Sequence, residues 1–166
     1  PQIKKLREHP GLGWISCLRS GSIRTLIDKG ALQRSLFDET NLAEIQSPDF
    51  PGERLIACFN PLLAAERGRK RQELLQATEK DLERLAREVR RRTKQPLGKA
   101  DIGLKAGRIL GRYKMGKHFQ LTIEDGRFDW ARREQAIARE CALDGIYIVR
   151  TSQPESQLSA ADAVRK

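Results

Sequence analysis

The sequence predicts an α+β protein with a long basic helical arm, and three observations carry that expectation. Leu75, Thr78, Leu82, Leu85 and Val89 fall 3, 4, 3 and 4 residues apart, the stripe of an amphipathic helix. Phe119, Leu121 and Ile123 alternate with polar residues, Asp125-Gly126 supplies a tight turn, and Phe128 and Trp130 alternate again, which spells a β-hairpin. The short runs "GWISCLR", "RLIACFN" and "IYIVRTS" are apolar enough to form strands.

Taken in chain order, "PQIKKLREH" reads as a helix ended by Gly11 and Gly13. Trp14, Ile15, Cys17 and Leu18 follow nearly without interruption, which suits a strand buried on both faces. The stretch from Ile23 to Arg54 is turn-rich and amphipathic only in pieces, and Pro48 and Pro51 mark a crossing loop. A strand is expected at about 54–59. Asn60-Pro61 then looks like an N-cap with proline at the first helical position, opening a helical arm over about 61–115.

The first helix of the arm is expected to reach about Arg92, or roughly 45–50 Å at 1.5 Å per residue. Glu83 with Arg87 and Glu88 with Arg92 are favourable i,i+4 pairs. The stripe is too short for a sustained coiled coil, so a helix folded back on its own domain is predicted. Pro96 and Gly98 break the pattern, and Ile102, Ala106, Ile109, Leu110 and Tyr113 form the apolar face of a second helix. Gly103, Gly107 and Gly111 recur every four residues and predict close packing there against the long helix or a sheet. A hairpin over 117–131, a short helix over 132–143 with Ile137 and Cys141 inward, and a strand over 145–150 complete the pattern. Ser159 followed by Asp162 caps a last helix.

The 166 residues suffice for one domain with a core, and 39% hydrophobic and 5% aromatic residues imply a modest core under a large charged surface. No apolar run approaches the roughly 18 residues of a membrane span, and no signal peptide opens the sequence. A soluble, cytoplasmic protein with no membrane partner is expected. Cys17, Cys58 and Cys141 form no CxxC pair and sit in apolar context, which predicts buried free thiols in a reducing compartment.

The formal charge of +10 is concentrated. Pro61 to Lys117 holds 17 Lys and Arg against 7 Asp and Glu, whereas the rest of the chain holds 15 of each sign. A localised basic segment favours a polyanion partner, and nucleic acid is the usual one. Catalytic signals are sparse by comparison. His9 and His118 stand in no metal-ligand spacing, and no glycine-rich phosphate loop or GxSxG serine appears. Asp38, Glu39, Glu44, Asp49 and Glu53 lie in a loop-rich stretch and Asp125 and Asp144 in turns, where acids are expected anyway. On its own residues the chain is not a convincing enzyme.

Three longer strings point to a family. "SLFDETNLAEIQSPDFPGERLIACFNPLLAAERGRKRQELLQATEKDLE", "IGLKAGRILGRYKMGKHF" and "ALDGIYIVRTSQPESQLSAADAVRK" resemble bacterial insertion-sequence transposases of the DDE class. In the group they resemble most, an RNase H-like catalytic domain is interrupted by a long insertion before the last catalytic acid. The resemblance implies a partial RNase H-like element, helix plus inner strand, over 1–21. An insertion over 22–150 would follow, in which the hairpin and the strands around Ile56 and Ile148 could make a small antiparallel sheet. Residues 151–166 would be a linker and the start of a helix.

The resemblance further implies that this chain is an internal fragment. The family's second catalytic Asp would precede Pro1 and its catalytic Glu would follow Lys166, so no catalytic residue is carried over. Mg2+ is implied for the full-length enzyme only, together with transposon-end DNA as a double-stranded partner, a homodimer in the whole protein, and a nucleoid-associated location.

Within the arm, Arg90, Arg91, Arg92, Lys94, Lys105, Arg108, Arg112, Lys114 and Lys117 are the expected phosphate contacts, with Lys105, Arg108 and Arg112 aligned at i, i+3 and i+7. An interaction module is the alternative, with Leu75, Leu82, Leu85 and Val89 docking a partner helix or a second copy. An independent nuclease would need acids that the chain does not present together.

Overall fold

The computed structural model describes residues 2–6, 8–9 and 11–165. Its elements in chain order are α1 (Gln2–Leu6), β1 (Ile15–Cys17), α2 (Ser20–Asp28), a 3-10 turn (Arg34–Phe37), β2 (Leu42–Ile45), β3 (Arg54–Phe59), α3 (Pro61–Arg91) and α4 (Lys99–Tyr113). A second 3-10 turn (Gly116–His118), β4 (Phe119–Glu124), β5 (Arg127–Arg132), α5 (Glu134–Cys141), β6 (Ile146–Thr151) and α6 (Ala160–Arg165) follow. The chain is α+β, as the sequence predicts. Among the described residues no helix is long and apolar enough to cross a membrane. The chain divides into two compact units, Pro1–Ala65 with Leu143–Lys166, and Glu66–Ala142.

The first unit is built on a four-stranded sheet in the order β1-β6-β3-β2, with every neighbouring pair antiparallel. Alternation along β3 and β6 sends Leu55, Ala57, Ile146 and Ile148 to one face, where they pack with Ile23 and Leu26 of α2 and with Phe37 and Ile45. Ile56, Cys58 and Val149 face the other way, against Leu158 and Ala163. Both faces are covered, and this is why β3 reads as a continuous apolar run although its neighbours are antiparallel. Leu55, Ile56 and Ile148 are fully buried, each worth about 1.5–3 kcal/mol relative to exposure.

Arg150 lies between the rings of Trp14 and Phe50, 5.2 and 4.9 Å from their centroids, and makes a two-point ion pair with Glu53. The three-residue strand β1 departs from the expectation of burial on both faces. It is an edge strand paired only with β6, and Ile15 is 42% exposed. Cys17 on it is likewise exposed and Cys141 half-buried, so only Cys58 is the buried free thiol expected of all three.

Residues 46–53, around Pro48 and Pro51, are a loop as expected, but the stretch before them holds two regular elements. The nine-residue helix α2 closes in a Schellman motif: Gly30 sits at φ +73°, its N–H bonds the Ile27 carbonyl at 2.9 Å, and the Ala31 N–H bonds the Leu26 carbonyl at 2.9 Å. β2 pairs with β3 in the register Leu42 opposite Cys58. The strands around Ile56 and Ile148 do share a sheet, but with β1 and β2 as its other members. The hairpin forms a separate two-stranded sheet.

The second unit consists of α3 from Glu66 onward, α4, the β4-β5 hairpin and α5. Leu75, Leu82, Leu85, Ala86 and Val89 of α3 pack with Ile102 and Ala106 of α4 and with Met115, Phe119 and Phe128. Asn60 caps α3 as expected, its Oδ1 accepting the Leu63 N–H at 3.0 Å. The hairpin turn caps α4 from a distance. Asp125 Oδ1 accepts the Lys99 N–H at 2.6 Å, and the Gly126 N–H bonds the Leu97 carbonyl at 2.9 Å. Gly126 is favoured there by φ +71°, and a Cβ would crowd Pro96 at 3.1 Å.

Among the described residues the glycine stripe of α4 packs against nothing. A Cβ built on Gly103, Gly107 or Gly111 meets no atom within 4 Å, so the four-residue recurrence marks an open face rather than a close approach. At the other end of the chain the expected cap is present, with the Asp162 N–H bonding Ser159 Oγ at 3.1 Å.

Candidate nucleic-acid interface

Charge divides unevenly between the units. The second holds 21 Lys and Arg against 12 Asp and Glu, and the first holds 11 against 10. A surplus of nine positive charges therefore belongs to a body of 77 residues, Glu66–Ala142. Its scaffold is the α3–α4 pair. Lys105 Nζ lies 2.5 Å from Glu88 Oε1, and Arg112 Nη1 and Tyr113 Oη lie 3.3 and 3.0 Å from Asp81 Oδ2. Residue numbers rise along α4 from Lys105 to Arg112 and fall along α3 from Glu88 to Asp81, so the helices run antiparallel with matched seven-residue steps.

At that seam two of the expected phosphate contacts have acid partners. Lys105 and Arg112 are turned to α3 acids, while Arg108 between them is exposed and makes no ion pair among the described residues. Arg90 pairs with Glu83 at 2.8 Å and Arg92 with Glu88 at 3.5 Å. Glu83 therefore serves Arg90 rather than Arg87, the partner its i,i+4 spacing suggested. Lys117 pairs with Glu140 at 2.8 Å. Arg91, Lys94 and Lys114 are exposed without an ion pair among the described residues. Exposed pairs such as Arg90–Glu83 contribute only about 0–1 kcal/mol, so they yield readily to a phosphate.

The long helix carries a further row that inspection of charge clusters overlooks. Lys80, Arg84, Arg87 and Arg91 are spaced 4, 3 and 4, and all are exposed. At 100° per residue they occupy a sector of about 60° on the side opposite Leu75, Thr78, Leu82, Leu85 and Val89. The apolar and basic stripes have the same period, and the core that buries one presents the other to solvent. Arg84, Arg87 and Arg91 line an open groove with Glu88 and Arg92.

Beneath this surface the hairpin is fastened to α3 by the two-point pair of Arg132 with Glu79, whose hydrogen bond holds the guanidinium above its ordinary pKa. His118 was expected only as a residue opening a strand. It is 1% exposed, with Nε2 2.7 Å from Glu140 Oε2 but not aligned for a hydrogen bond, and its Nδ1 has no partner among the described residues. Burial pushes the His118 imidazole below its ordinary value, against the opposing charge of Glu140. Burial also pushes Glu140 up, but Lys117, His118 and Arg71 together bring it below the usual carboxylate value.

Three acids of the loop-rich stretch are paired with cations: Glu44 with Arg54, Asp49 with Lys29 and Glu53 with Arg150. Among the described residues no three His, Cys, Asp or Glu side chains gather as a metal site would require. No family model, curated protein or solved structure matches the chain.

Proposed function

We propose that the chain is a DNA-contacting segment of a DDE-class insertion-sequence transposase, supplying contact and architecture while the catalytic acids and their Mg2+ lie elsewhere. The family reading rests on the three strings that resemble such transposases, and the RNase H-like assignment of 1–21 belongs to it. DNA contact is supported by one observation above the others: a surplus of nine positive charges on the second unit, much of it exposed along α3. Lysine and arginine contacts to phosphate give affinity without sequence choice, and counterion release makes that affinity fall steeply with salt.

The rival reading needs Leu75, Leu82, Leu85 and Val89 as an open docking stripe. They are 1, 0, 4 and 2% exposed inside their own unit, so that stripe is already occupied. The test is fluorescence anisotropy of a labelled DNA duplex with the purified chain across a salt series. The expected result is binding at low salt with a steep loss as salt rises. A folded chain that leaves the duplex free at low salt contradicts DNA contact.

A further inference from the structure

We infer that Lys80, Arg84, Arg87 and Arg91 form a single row of phosphate contacts that lies along the backbone of duplex DNA. The inference rests on the proposed DNA partner and locates the face that meets it. Its first support is periodicity: the 4, 3, 4 spacing puts all four exposed cations on one line of α3, opposite the buried stripe. From Lys80 to Arg91 the row rises about 16 Å in steps of about 4.5–6 Å. Successive phosphates of one DNA strand advance about 3.4 Å along the axis and lie farther apart along the winding backbone, so the two spacings are commensurate.

The second support is an energetic contrast within the same helix. Elsewhere α3 matches most of its exposed charges, Glu66 with Lys70, Arg69 with Glu73, Glu83 with Arg90 and Glu88 with Arg92, and leaves Arg67 as an isolated exposed cation. Along the row, like charges adjoin at 80/84, 84/87 and 87/91, an arrangement that destabilises an isolated helix. Lys80, Arg87 and Arg91 make no ion pair among the described residues, and Arg84 has only the Asp81 carboxylate, at 3.2 Å. A row of adjoining cations with one carboxylate among four, on a helix whose other exposed charges are mostly paired, is what an external polyanion neutralises. Lys105 and Arg112, which alignment alone had favoured, are turned to the α3 acids Glu88 and Asp81.

The experiment compares three forms of the whole chain against one DNA duplex over a salt series: the parent, K80Q/R84Q/R87Q/R91Q, and R24Q/R133Q/R139Q/R165Q. The last removes the same number of exposed cations from outside the row. Glutamine keeps helix propensity, and circular dichroism checks the fold of each. With about 0.9 in log–log slope per phosphate contact, the row variant is expected to lose about 3–4 of slope and the control less than about 1. Equal losses in the two variants would reduce the effect to net charge and overturn the row. A folded row variant with the parental slope would overturn it while leaving DNA contact standing. A parent that binds no duplex at low salt removes both.

Discussion

Removing the Asp81 carboxylate should weaken the fold and strengthen DNA binding at once. Its side chain is 12% exposed and sits at the α3–α4 seam, where it accepts from Tyr113 Oη at 3.0 Å and lies 3.3 Å from Arg112 and 3.2 Å from Arg84. A hydrogen bond to a charged acceptor is worth about 1.5–3 kcal/mol. The two arginines are 67 and 68% exposed, so their pairs add at most a few tenths of a kcal/mol each after solvent screening. Asp81→Ala should therefore cost about 2–3 kcal/mol in urea unfolding. Asp81→Asn, which still offers the tyrosine an acceptor, should cost about 1 kcal/mol.

Both variants release Arg84 toward the exposed row and raise the net charge by one, so anisotropy at fixed salt should show tighter duplex binding in each. Parental stability in Asp81→Ala would mean that the seam is held without this carboxylate. Weaker DNA binding by a folded Asp81→Asn protein would refute the idea that Asp81 competes with phosphate for Arg84.

Three further outcomes follow from the packing. Leu82→Ala, at a fully buried position of the α3 core, should cost about 2–5 kcal/mol in denaturant unfolding; a cost below about 1 would place the core elsewhere. Glu53→Gln leaves Arg150 between Trp14 and Phe50 without its counter-charge, so a loss of about 3–5 kcal/mol is expected, and an unchanged midpoint would contradict that pairing. Burial places the folded His118 imidazole below its ordinary 6.5, so its contribution is intact above that pH and is lost as pH falls through the folded value. Glu140, also lowered when folded, acts in the same direction below its ordinary 4.5. Unfolding midpoints should thus decline on acidification, and His118→Gln should flatten the upper part of that decline. An identical pH profile in the variant would exclude His118 as its source.

What the sequence disclosed, it disclosed through local rules. The stripe from Leu75 to Val89, the Asp125-Gly126 hairpin and the caps at Asn60 and Ser159 are each decided by residues within a turn or two, and all appear where expected. Helix α2 was hidden because it lacks a side-chain N-cap and is only nine residues long, although Lys29-Gly30-Ala31 carried its stop signal. β2 has no pattern of its own and exists because β3 offers an edge.

For the candidate interface, the arginine run 90–92 masks the facial alignment within α3. The period that located the apolar stripe also locates Lys80, Arg84, Arg87 and Arg91, so that row was legible. The diversion of Lys105 and Arg112 to Glu88 and Asp81 was not, since it depends on how two helices separated by a break are registered. His118 is a similar case: its burial and its approach to Glu140 are set by where α5 packs.

The most direct test of the account is a nuclear magnetic resonance titration that follows arginine side-chain Nε–Hε signals as duplex DNA is added. Shifts concentrated at Arg84, Arg87 and Arg91, with Arg24, Arg54 and Arg150 of the first unit unmoved, are the predicted result. Shifts spread evenly over the arginines of both units, or confined to the first, would contradict it.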